Sequence, residues 1–236
     1  MTTMPFAPRD YVPVLAELTG AFTEALRTAD PAAPVPDCTG WTVADLATHL
    51  GNVHRWAATV VRTGEAHPQD FAVDAGADLV SWYAESARIL LGELEATDPA
   101  DPCWHFGGTG KTKAFWFRRQ VHETAIHLAD SGSGHVLDPA VAADGVDEVL
   151  GAMLPRVTRW HAVPQLPGPV TLRATDTGDV WTVHPGEPPA LGPAAGGATV
   201  EAPARDLLLR LWKRTGPEPH ATGAAAAALL AAPLTP

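Results

Sequence analysis

The spacing of apolar residues changes once along this chain, near residue 163, and that change limits the fold more than any other feature. Before it, apolar side chains recur every three or four residues, the period of a helix with one buried face. Tyr11, Val14, Leu15, Leu18, Phe22 and Leu26 mark a helix over residues 9–29. Val43, Leu46, Leu50, Val53, Ala57 and Val61 mark a second, from a start at Thr42 to about residue 62. Thr42 and Asp45 have the spacing of a capping box, and Gly64 is a natural stop. Further helices are expected over residues 75–96, 113–130 and 139–160, the last capped by Asp138.

After residue 163 the period falls to two. Residues 170–175 and 180–184 alternate and are rich in β-branched side chains, with Asp176-Thr177-Gly178-Asp179 as a turn between them. A short strand at 198–201, an amphipathic helix at 203–213 and a last Ala/Leu helix at 222–232 complete the chain. The predicted class is therefore α followed by α+β. A helical bundle spans residues 1–162 and a small α+β domain spans residues 163–236.

Composition excludes several functions. The formal charge of −11 disfavours nucleic acid and anionic membranes as partners, because both attract basic surfaces. No apolar run reaches the roughly 20 residues that cross a bilayer. The first residues lack the basic and apolar regions of a secretion signal, so the cytoplasm is the expected compartment. Cys38 and Cys103 make no disulfide framework; each is read as a redox thiol or a buried small apolar residue. The glycine loop at residues 107–111 fails the phosphate-loop pattern on spacing, which leaves a flexible entry to the next helix or an anion site at its start.

The chemistry concentrates in Arg118-Arg119-Gln120-Val121-His122-Glu123-Thr124-Ala125-Ile126-His127. On a helix, Glu123 and His127 share one face, whereas His122 looks elsewhere. A carboxylate and an imidazole so placed can hold one metal ion, and His49, leaning inward from the second helix, is the candidate third ligand. The competing readings are a solvated pair at Glu123 and His127 and a hydrogen-bonded core histidine at His49. Zinc is the first choice for this donor set; nickel, manganese and iron(II) suit it as well. Trp56, Trp104, Trp116 and Trp181 are read as pocket wall or as core. Arg118 and Arg119 are read as anion-recruiting or as surface-paired.

The pattern Cys38-x-x-Trp41-Thr42-Val43-x-Asp45-Leu46-x-x-His49-Leu50, followed by Arg118-Arg119-x-x-His122-Glu123-Thr124-Ala125-x-His127, resembles the mycothiol-dependent maleylpyruvate isomerase family. Ala174-Thr175-Asp176-Thr177-Gly178-x-x-Trp181 and Asp206-Leu207-Leu208-Leu209-x-Leu211-Trp212-x-Arg214 resemble its second domain. The resemblance implies a DinB-like four-helix metal-binding domain followed by a sterol-carrier-like domain. It implies a divalent metal on His49, Glu123 and His127, with mycothiol, a thiol of actinobacteria, as cosubstrate. The implied activity is isomerisation of a maleylpyruvate-type substrate, or transfer of the thiol to a small electrophile. Arg214 matches the family position where an arginine reaches a substrate carboxylate; the competing reading is a solvated cation at a helix end. Two other functions use the same ligands: a non-catalytic binding or regulatory module, and a metal-dependent hydrolase acting through bound water. The chain is expected to be a monomer or a homodimer.

Overall fold

The computed structural model describes residues 6–69, 78–108 and 110–236. The expected start of the third helix at residue 75 and Thr109 of the glycine loop lie outside the described residues. The chain divides into two compact units, Met1–His135 and Val136–Pro236.

The first unit is built from α1 (Tyr11–Thr28), α2 (Val43–Thr63), α3 (Leu79–Ala96) and α4 (Ala114–Asp130). Its start signals work as the residue types require. Oγ1 of Thr42 accepts from the Asp45 N–H at 3.2 Å, and the Asp45 carboxylate accepts from the Thr42 N–H at 2.8 Å. These bonds satisfy two orphan donors at the start of α2, and the Thr42 N–H and hydroxyl, both donating to the Asp45 carboxylate, hold that carboxyl below its usual range. Gly64, at φ 76°, ends the helix in the left-handed conformation that glycine adopts without cost. At the far end of α3 the Arg9 guanidinium donates to the carbonyls of Glu95 at 3.0 Å and Thr97 at 2.7 Å, satisfying oxygens the helix leaves open.

Both α1 and α2 pack against α3 and α4. The long connections at residues 29–42 and 97–113 carry the chain across the bundle. The core includes Leu15, Phe22, Leu46, Leu50, Tyr83, Leu90 and Trp116, all fully buried. Each such aliphatic or phenyl side chain contributes about 1.5–3 kcal/mol when removed from water. Gly51 lets α2 and α3 approach closely: a Cβ there would stand 2.2 Å from the Trp82 ring.

The second unit holds α5 (Pro139–Glu148), β1 (Val170–Ala174), β2 (Val180–His184), β3 (Ala190–Leu191), β4 (Ala198–Ala202), α6 (Ala204–Leu211), β5 (His220–Thr222) and α7 (Ala224–Ala231). The sheet runs β3-β2-β1-β4-β5. β1 pairs with β2 antiparallel and with β4 parallel, while β5 closes the edge antiparallel to β4. The compact units divide at 135/136, ahead of the boundary at residue 162 expected from the sequence. Helical turns continue beyond α5 as a π segment, Val149–Met153, and a 3-10 segment, Leu154–Arg159, which sustains the helical period. Yet α5 packs against α6, so this helix belongs with the sheet. No helix among the described residues is long and apolar enough to cross a membrane.

Candidate metal centre

His49 lies two turns into α2, and Glu123 and His127 lie one turn apart on α4. The fold brings all three together. Oε1 of Glu123 stands 3.5 Å from Nε2 of His49 and 3.4 Å from Nε2 of His127. The three ligand atoms lie within 4.8 Å of one another. A tetrahedral ion bound at zinc distances holds its ligands about 3.3 Å apart, close to the two separations between Glu123 and the imidazoles. His49 keeps 29% of its side chain exposed, whereas His127 keeps 7%, so the cluster opens on the His49 side.

Glu123 is aimed by Arg119, one turn earlier on α4. The guanidinium, only 5% exposed, pairs with Oε2 and leaves Oε1 to the imidazoles. Burial opposes ionisation of Glu123, but Arg119 and the hydrogen bonds from His127 and His49 outweigh it, and the carboxyl is held well below its usual range. The expectation that Arg119 recruits anions or pairs at the surface is therefore corrected: it is buried and pairs with Glu123. Arg118 stays half-exposed.

His127 is bonded on its other ring nitrogen, Nδ1, to Oδ2 of Asp130 at 2.9 Å. Burial lowers its pKa, and the bonds to Asp130 and Glu123 raise it by more. Trp41, in the loop before α2, lies 4.9 Å from the His49 ring and 6.4 Å from that of His127. Sequence reasoning assigned no role to Trp41 or Asp130. The signal for Asp130 is its spacing of three residues from His127, which puts both on one side of a helix.

Deeper in the bundle, Nδ1 of His54 donates to Oε1 of Gln120 at 2.9 Å, and Nε2 faces the Tyr83 hydroxyl at 3.3 Å. Burial pushes the His54 pKa down to about 4, opposed by Gln120 and Glu123. This imidazole is neutral at physiological pH.

Residues 14–132 match the family described as the mycothiol maleylpyruvate isomerase N-terminal domain, and residues 140–232 match its C-terminal domain. The chain belongs to the mycothiol maleylpyruvate isomerase family. Two solved structures share its fold: the mycothiol-dependent maleylpyruvate isomerase, with a TM-score of 0.68, and a mutant of that enzyme, with 0.67. Each is 13% identical, with 94% of this chain and 96% of the other covered. No curated protein matches the sequence.

The remaining expected site residues fall elsewhere. In this member of the isomerase family, Trp56, Trp104 and Trp116 form one cluster, with ring centroids 5.1–6.3 Å apart. Trp181, in the second unit, is buried and donates to Asp147. His122 is buried edge-on to Tyr11 and turns away from Glu123, as its helical angle required. Arg214 follows α6 in the second unit; its guanidinium donates to the Trp212 carbonyl at 3.0 Å and lies over the Trp212 ring. Lys111 donates to the carbonyls of His105 and Gly107, so its amine closes the glycine loop on itself. Cys103 is buried and its thiol is pushed up by burial, while Cys38 is half-exposed and donates to Asp130, which corrects its reading as a buried apolar residue.

Proposed function

We propose that the protein is a metal-dependent isomerase or S-transferase that uses mycothiol against a small electrophile. The observation that supports this reading is the convergence of two imidazoles from different helices on one oxygen of Glu123. His49, Glu123 and His127 would hold the ion, zinc first by donor type, with nickel, manganese and iron(II) sharing the set. Three protein ligands leave a position open to an incoming sulfur. When bound, the ion supplies acidity, so that a thiol reaching it is a thiolate at neutral pH.

The chain's own residues do the rest. Arg119 keeps Oε2 of Glu123 occupied and Oε1 turned toward the imidazoles. Asp130 holds His127 from behind. Trp41 lies beside both rings. With a maleylpyruvate-type substrate, the thiolate adds to one carbon of the double bond conjugated to the ketone. The former double bond is then single and turns. Departure of the same thiolate restores the double bond in the trans form, with no net change in atoms or electrons. In the transferase variant, the proton that the thiol gave up on becoming a thiolate returns through solvent to the enolate carbon instead, and the thioether leaves. Arg214 keeps the role that the family resemblance gives it, pairing with a substrate carboxylate through its two-pronged guanidinium.

The test is turnover of the zinc-loaded protein with mycothiol and a set of electrophiles that includes maleylpyruvate. Isomerisation or thioether formation that requires both mycothiol and His49 is the expected result. Cleavage of esters or amides without thiol identifies a hydrolase and overturns the reading. Ligand binding with no turnover of any electrophile identifies a binding module and overturns it equally. Arg214→Ala is expected to raise KM for a carboxylate-bearing electrophile more than it lowers kcat.

A further inference from the structure

His127 is engaged through both ring nitrogens. Nε2 faces Glu123 at 3.4 Å, and Nδ1 lies 2.9 Å from Oδ2 of Asp130. The Asp130 side chain is fully buried. An ionised carboxylate only accepts, so the proton between the two belongs on Nδ1, which leaves Nε2, on the Glu123 side, as the nitrogen that would face an ion. Asp130 is itself held from a distant part of the chain. The Cys38 thiol donates to the same oxygen, Oδ2, at 3.4 Å. The loop that carries Cys38 is closed by three backbone bonds, from Cys38 N–H to the Val35 carbonyl at 3.1 Å, from Trp41 N–H to the Cys38 carbonyl at 2.9 Å and from Val35 N–H to the Trp41 carbonyl at 2.9 Å. That loop also delivers Trp41 beside the His49 ring.

A second ligand set overlaps the first. Cys38, His127 and Asp130 also offer three ligand atoms within 4.8 Å of one another. The two sets compete for His127, and they assign opposite roles to the thiol. The hydrogen-bond geometry separates them. The distance from Nδ1 to Oδ2 is that of a charge-assisted hydrogen bond, and the thiol donates to the same oxygen. We propose that Asp130 is a positioning residue that sets the tautomer and ring orientation of His127 for metal binding, and that Cys38 supports Asp130 without itself ligating the ion. This role rests on the metal site of the proposed function. It ties the loop before α2 to the end of α4, so one short chain of bonds orients His127 and fixes Trp41 beside it.

The experiment measures zinc affinity by competition with a chromophoric chelator for the wild-type chain, Asp130→Ala, Asp130→Asn and Cys38→Ala. Nitrogen NMR of the His127 ring in the zinc-loaded protein reports which ring nitrogen keeps its proton. The wild-type ring is expected as the Nδ1–H form. Zinc affinity is expected to fall roughly 10–100-fold in Asp130→Ala, with part of the loss rescued in Asp130→Asn, whose amide oxygen still accepts from Nδ1. In Asp130→Ala the Nδ1–H signature is expected to give way to a mixture. If Asp130→Ala does not fold, the isosteric Asp130→Asn carries the comparison. Cys38→Ala is expected to stay within a few-fold of wild type, and the cadmium-loaded wild-type chain to show no thiolate-to-metal absorption band. Unchanged affinity in both Asp130 variants overturns the proposal. So does a thiolate band that Cys38→Ala abolishes. A wild-type chain that takes up no zinc overturns the proposed function itself, and this role with it.

Discussion

Oε1 of Glu123 stands 3.5 Å from Nε2 of His49, so a carboxylate on α4 meets an imidazole on α2 across the bundle. The two partners differ in what else they hold. Glu123 also pairs with Arg119, whose guanidinium is 5% exposed, whereas His49 sits at the open side of the cluster.

That difference predicts unequal costs in the metal-free protein. Glu123→Ala removes one partner of a buried ion pair and is expected to cost roughly 3–5 kcal/mol of stability. His49→Ala, at a half-exposed position, is expected to cost about 1 kcal/mol or less. Urea unfolding without metal measures both. Equal costs would show that the Arg119–Glu123 pair does not support the fold.

His54 predicts an acid sensitivity. Its folded-state pKa, about 4, lies below the ordinary value of 6.5. As the pH falls, the unfolded chain therefore takes up this proton first. The stability tied to neutral His54 is complete above pH 6.5 and is lost as the pH falls from there through about 4, a loss of roughly 3 kcal/mol. His127, whose pKa is raised, contributes with the opposite sign: its share is present at low pH and fades as the pH rises through its folded value. Comparing unfolding free energies of wild type and His54→Asn between pH 7 and 4 isolates the first effect. The variant keeps an amide in place of the ring and is expected to show the shallower slope.

Gly51 predicts a packing limit. Trp82 lies where its Cβ would be, 2.2 Å from a ring carbon, and the Arg55 guanidinium stacks on the same indole at 5.2 Å. Gly51→Ala is expected to lose about 1–3 kcal/mol through overpacking. Pairing it with Trp82→Leu is expected to recover part of that loss, a coupling that a double-mutant cycle reads directly. Additive costs would mean that the two helices adjust around the methyl group.

Local signals in the chain carried much of this. Thr42 and Asp45 placed the start of α2, and with it the angle of His49, because both halves of a capping box lie within one helical turn. Glu123 and His127 were legible as neighbours because helical spacing alone puts them on one face. What escaped notice depends on contacts between distant residues. Cys38 meets Asp130 across 92 positions, a pairing that no local pattern encodes. Arg119 looked like a surface cation because its partner, Glu123, was counted only as a ligand. The change of period near residue 163 does not mark the division between the compact units, because α5 keeps a helical period while packing on α6, far along the chain. Strand β3 has two residues and β5 three, too few for alternation to register.

X-ray absorption at the zinc edge, on zinc-loaded protein before and after mycothiol is added, tests the central claim most directly. The account predicts one zinc per chain, lost in His127→Ala, with two imidazoles and light oxygen scatterers and no sulfur before the thiol arrives. After addition, one sulfur should appear at about 2.3 Å. An unchanged zinc environment, sulfur already present in the thiol-free protein, or a wild-type chain that retains no zinc would contradict it.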